Sequence, residues 1–178
     1  LGGMGALDFA GGTVVHVNAG AAALAAAIVL GPRQDYGVRA MLPHNVPFVL
    51  LGAGLLWFGW FGFNGGSALA ADGLGATGAV TTMFAPGATV VVWALLDHFT
   101  TGEMTAVGLA TAIVVGLVAI TPASGFVTPM GAIAIGALAA VPSYYFIKWR
   151  TRSSLDDSLD VFGAHGIGGA VGAVLTGA

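Results

Sequence analysis

Residues 45–70 read NVPFVLLGAGLLWFGWFGFNGGSALA, without one Asp, Glu, Lys, Arg or His. As a helix rising 1.5 Å per residue this stretch is long enough to cross the roughly 30 Å hydrocarbon core of a bilayer. A membrane β-strand needs only about ten residues. The stretch is therefore a transmembrane helix.

Runs of the same kind recur at roughly 8–31, 75–97, 104–121, 127–149 and 160–178, with the fourth short for a span. Turn and charge signals separate them, as at Gly31-Pro32, Ala71-Asp72-Gly73, Asp97 to Glu103, Thr121 to Gly125 and Lys148 to Arg152. The fold class expected is an all-α membrane protein with six transmembrane helices, residues 1–178 forming a single membrane domain. Because the chain starts in one apolar stretch and stops in another, truncation at both ends is expected.

Composition excludes a soluble fold. Apolar residues make up 57% of the 178 residues and charged residues 7%, against roughly 25% charged in soluble domains, and mean hydropathy is +0.92. Five Lys/Arg and eight Asp/Glu cannot coat such a domain, so lipid must be the solvent. Thirty glycines without a collagen period suit helices packed backbone to backbone in a membrane.

All basic residues fall in two connections, Arg33 and Arg39 after the first span and Lys148, Arg150 and Arg152 after the fifth. Four crossings lie between these connections, which puts them on the same side, and the positive-inside rule makes that side cytoplasmic. Loops 32–44, 98–104 and 148–159 are expected there, in a multi-pass protein of the plasma membrane.

An ionisable side chain inside a span is costly and is read as functional by default. His16 and His165 lie within spans; His44 and His98 stand at span ends beside Pro43 and Asp97 and are assigned no role. His16 follows Asp8 by eight residues and His165 follows Asp160 by five, each Asp suited to cap its helix. Ala19 and Gly20 follow one histidine as Gly168 and Gly169 follow the other, on helices that run in opposite directions, as an inverted repeat would leave. On the residues alone two readings stay open: packed histidines, each satisfying a neighbour's carbonyl, or a matched pair at a site between helices. Two imidazoles without a third ligand hold a divalent ion poorly, and there is no cysteine, so no metal or cofactor is expected.

The segment Asp8-Phe9-Ala10-Gly11-Gly12-Thr13-Val14-Val15-His16-Val17-Asn18-Ala19-Gly20 resembles the signature of the ammonium transporter (Amt/Rhesus) family. Trp60 to Ser67, Ile120 to Gly125 and Asp160 to Gly166 resemble the same family, in the same order. The resemblance implies an eleven-helix fold of two inverted halves, of which this chain corresponds to helices five through ten. It further implies that His16 and His165 are twin pore histidines, Phe63 one of two stacked gate phenylalanines, Trp60 a pore-lining ring, Ser67 a hydroxyl of the outer ammonium recruitment site, and Asp8 and Asp160 structural acids. Without it, the aromatic cluster Trp57 to Phe63 reads as an interfacial belt or helix packing, and Ser67 as bonded to its own helix backbone.

The function expected is passage of ammonium or ammonia through a hydrophobic pore, the cation losing a proton before passage, with methylammonium as an analogue. An ammonium sensor with a signalling tail is the alternative. A homotrimer is implied, and so is a PII-type regulatory protein docking on the cytoplasmic loops. The spans contain no Ser/His/Asp constellation, His-x-x-Glu-His or paired carboxylates, so no enzyme is expected. Small-residue rows Ala19/Ala23/Ala27 and Gly168/Gly172 suit close helix contacts.

Overall fold

The computed structural model describes residues 2–178. After one 3-10 turn at Gly2–Met4, six helices follow: α1 Gly12–Leu30, α2 Val46–Gly65, α3 Gly73–Thr101, α4 Ala106–Ile120, α5 Pro129–Arg150 and α6 Phe162–Thr176. There is no strand among the described residues. α1, α2, α3 and α5 are long and apolar enough to cross a membrane. α4, at 15 residues, reaches only about 22 Å as a helix, and α6 is similarly short.

Helix starts follow local chemistry. Asn45 accepts from Phe48 N, Asp72 from Leu74 N and Gly75 N, Thr105 from Gly108 N, and Thr128 from Gly131 N. Each side chain satisfies first-turn N–H groups that have no partner within the helix. Pro47 and Pro129 lie in first turns, where the missing N–H costs nothing. Pro86 is inside α3 and cannot donate to the Thr82 carbonyl. The Trp57 indole N–H donates to that carbonyl instead, at 3.0 Å.

The core lies where α3, α4 and α5 meet and is built of small residues. Ala85, Ala112, Val115, Ala119, Ala132, Ala139 and Ala140 are fully buried. A Cβ on Gly136 would overlap Ala85 O, and one on Gly116 would overlap Pro86. Such contact lets dispersion act between backbones where no hydrophobic effect separates helix from lipid.

The two small-residue rows fare differently. Gly168 and Gly172 are buried, Gly172 so close to Ala119 O that a side chain cannot fit. The alanine row is less covered: Ala19 is exposed and Ala23 and Ala27 are half-buried.

The basic connections meet at one end of the bundle. Arg33 grips Asp156 with two guanidinium nitrogens, each at 2.8 Å, and its backbone N–H also reaches that carboxylate at 2.8 Å. The Tyr36 hydroxyl donates to Leu155 O at 2.9 Å. Loops 32–44 and 148–159 therefore share an end, as four intervening crossings require. The Thr100 and Tyr144 hydroxyls are hydrogen-bonded, which places the end of α3 there too.

Candidate functional site

α1 and α6 run in opposite directions and lie side by side through their first turns, where both depart from regular α-helix. Gly12–Val17 and Phe162–Ile167 are π-helical, each six residues long. The His16 N–H reaches back five residues to Gly11 O, at 3.3 Å. Single wide turns of this kind recur at functional sites because they redirect side chains. Here they carry the two histidines.

Gly20 packs on Gly166 backbone to backbone, and a Cβ on Gly169 would stand 3.0 Å from Gly12 O and 3.3 Å from the His16 Cβ. That proximity brings His16 and His165, 149 residues apart in sequence, to an Nδ1 to Nδ1 distance of 3.3 Å. Their ring centroids are 5.3 Å apart. In a neutral pair at this distance one Nδ1 donates and the other accepts.

Trp60 stacks on His16 at 5.2 Å and 20°. Phe63 lies 5.7 Å from His16 at 26°, and 5.3 Å from Trp60. His16 is 3% exposed, and its Nε2 has no hydrogen-bond partner among the described residues. His165 is half-buried and lines a cleft of about 1580 Å³ that opens at the Arg33 and Arg150 end. The walls of the cleft include the first half of α2, the first half of α4 and the start of α6. One histidine is thus covered by aromatic rings and the other faces a wide opening.

Ser67 stands one turn beyond Phe63 and donates to its carbonyl at 2.7 Å. The five apolar rings of residues 57–63 do not form one belt: Trp60 is 7% exposed and Phe58 78%. Asp8 caps α1, accepting from Thr13 N and Val14 N at 3.1 and 3.2 Å.

Asp160 is a correction. Its carboxylate does not cap α6 but pairs with Arg150, which is buried. The cap is Asp157, accepting from Phe162 N at 2.7 Å. Asp160 has a left-handed backbone, φ 54°, a conformation Asp tolerates, and this turns its side chain away from the helix axis. Nothing in the sequence separates Asp157 from Asp160 as the cap. Thr121, Arg150 and Asp157 were not read from the sequence as site residues; their relation to the histidine helices exists only in three dimensions.

The ammonium transporter family model matches residues 1–178. The chain belongs to the ammonium transporter family. Among curated transporters it is 52% identical to that of Aquifex aeolicus over 174 residues, covering 97% of this chain and 40% of the relative. It is 49% identical to that of Mycobacterium tuberculosis over 172 residues, covering 97% of this chain and 36% of the relative. Saccharomyces cerevisiae Mep2 superimposes with a TM-score of 0.90 at 39% identity, covering 98% of this chain and 40% of that one. A structure described as "Sensor Amt Protein" does so with 0.89 at 39% identity, covering 94% and 43%. The chain spans about two fifths of the length of the transporters it matches. As a member of this family it is a multi-pass membrane protein, not an enzyme.

Proposed function

We propose that the protein conducts ammonium nitrogen across the plasma membrane through a pore in which His16 and His165 are adjacent contacts. The observation that carries this is the 3.3 Å approach of the two imidazoles at the crossing of oppositely running helices. An ammonium ion entering a low-dielectric passage without compensation loses tens of kcal/mol of hydration. Neutral ammonia, with one lone pair and three donors, needs only an acceptor and a donor in turn. The His16 Nε2, buried and without a partner, supplies such a contact.

In this reading the cation is gathered on the far side from the basic loops by the Phe63 face and the Ser67 hydroxyl, helped by cation–π attraction. It loses a proton, passes Trp60 and the histidine pair as ammonia, and leaves through the cleft beneath His165. Potassium has no proton to lose and is refused. Asp8 and Asp160 hold the ends of the two histidine helices and take no part in the passage.

The basic residues clustered at the cleft end support a cytoplasmic assignment for loops 32–44, 98–104 and 148–159. A PII-type regulatory protein would dock on that face, and three copies would assemble with one pore each. Methylammonium uptake and charge movement by the protein in liposomes, with and without His16→Ala, test the proposal. Undiminished potassium exclusion with unchanged flux in the variant would remove His16 from the mechanism. Binding of ammonium with no flux in the unaltered protein would favour the sensor reading, which the fit to a sensor structure keeps in play.

A further inference from the structure

Thr121 follows directly on α4, between the two elements that meet at His16. Its side chain is fully buried. The hydroxyl donates to Leu117 O at 2.8 Å. With its one proton committed there, the oxygen can only accept toward α2, and it accepts the Trp60 indole N–H at 3.0 Å.

The same residue holds α1 through its backbone. The Thr121 carbonyl accepts from Ala10 N at 3.2 Å, and the Pro122 carbonyl from Phe9 N at 2.9 Å. The Pro122 ring lies against Gly12 so tightly that a Cβ on Gly12 would overlap it. One turn therefore fixes both the segment leading into the His16 helix and the ring that stacks on His16.

We infer that Thr121 is a positioning residue, whose hydroxyl holds the Trp60 ring face-on to His16 and so holds the His16 imidazole toward His165. This rests on the proposed conduction past the histidine pair. Trp60 has one polar atom, and Thr121 turns it away from His16, so only the π face meets the imidazole. Without that bond the indole can tilt about its side-chain torsions, and the imidazole loses the surface that limits its rotation. Small displacements of a positioned group are costly in rate.

The test uses the protein as its gene encodes it, reconstituted in liposomes, with Thr121→Val and Thr121→Ser. Methylammonium flux is measured as a function of pH, and the imidazole nitrogen signals of 15N-histidine-labelled protein are recorded, His16 being assigned by its loss in His16→Ala. Thr121→Val is expected to lower flux by roughly tenfold, to shift the pH profile, and to move or broaden the His16 signal. Thr121→Ser is expected to restore all three. An unchanged His16 signal and flux in Thr121→Val overturns the inference, as does a serine variant that behaves like valine. If the unaltered protein does not transport, the proposed function fails but the nitrogen signals still decide the positioning role in the same way. If the valine variant does not fold, Thr121→Ala removes the acceptor of the same bond without placing a methyl group there: a His16 signal that moves in the alanine variant and not in Thr121→Ser supports the inference, and an unchanged one overturns it.

Discussion

Gly20 and Gly166 touch backbone to backbone where α1 crosses α6, and a Cβ on Gly20 would overlap the N and Cα of Gly166. The 3.3 Å approach of the two histidines is possible because Gly20 carries no side chain at this crossing. Gly20→Ala should therefore force the helices apart, destabilise the fold by about 1–3 kcal/mol, and lower methylammonium flux. Gly54→Ala is the control, since nothing lies within 4 Å of its Cβ; it should leave thermal unfolding near the unaltered value. Equal unfolding shifts in the two variants would contradict the close-contact account.

The acids before α6 have distinct roles. Asp157→Ala removes a helix cap and should cost about 1 kcal/mol. Asp160→Ala leaves the buried Arg150 without its carboxylate and should cost more, on the order of 3 kcal/mol. Denaturation of the two variants side by side measures the order, and the reverse order would return the capping role to Asp160.

The Arg33 guanidinium holds the Asp156 carboxyl below its ordinary pKa of 3.8. A carboxylate with a lowered native pKa stabilises the folded state fully above its unfolded pKa, and that stability is lost as pH falls through the native value. The link between the two loops should hold at neutral pH and weaken only in acid below the ordinary carboxylate range. Arg33→Ala should weaken it at every pH above that range, by about 1 kcal/mol after solvent screening of the half-exposed guanidinium, and remove this acid dependence. Hydrogen exchange of residues 32–44 across that pH range reads the outcome.

Trp57→Phe should leave the Thr82 carbonyl beside Pro86 without a donor, at a cost of about 1–3 kcal/mol. A matching Pro86→Ala in the same background, which restores the helix N–H, should recover part of the loss. A phenylalanine variant as stable as the original would show that another group or water takes the carbonyl.

Much of the fold was legible. Apolar run length marks a helix in lipid because every backbone group must be satisfied within the segment, and the six runs correspond to six helices with ends displaced by a few residues. The caps at Asn45, Asp72, Thr105 and Thr128 are local too, but of the caps only Asp8 and Asp160 were read from the sequence, and Asp160 is not one. The histidine pair was legible as two costly residues inside spans, and the family signature tied them together.

Other features could not be read from single positions. Asp160 and Asp157 are three residues apart with the same side chain, and which one caps α6 depends on where Arg150 lies across the bundle. Trp60 and Thr121, 61 residues apart, meet because α2 and α4 pack side by side. The alanine row on α1 resembles the glycine row on α6, yet only the glycines are buried.

Number of crossings, helical class and the shared end of the basic loops follow from chain composition, because the bilayer imposes length and satisfaction on each segment separately. Which faces of those segments meet is another matter. Helix rotation and crossing are set by contacts such as Gly20 on Gly166 and Gly172 on Ala119, each needing two distant stretches at once. The approach of His16 to His165, and the ring held over it by Thr121, exist only once those contacts have formed.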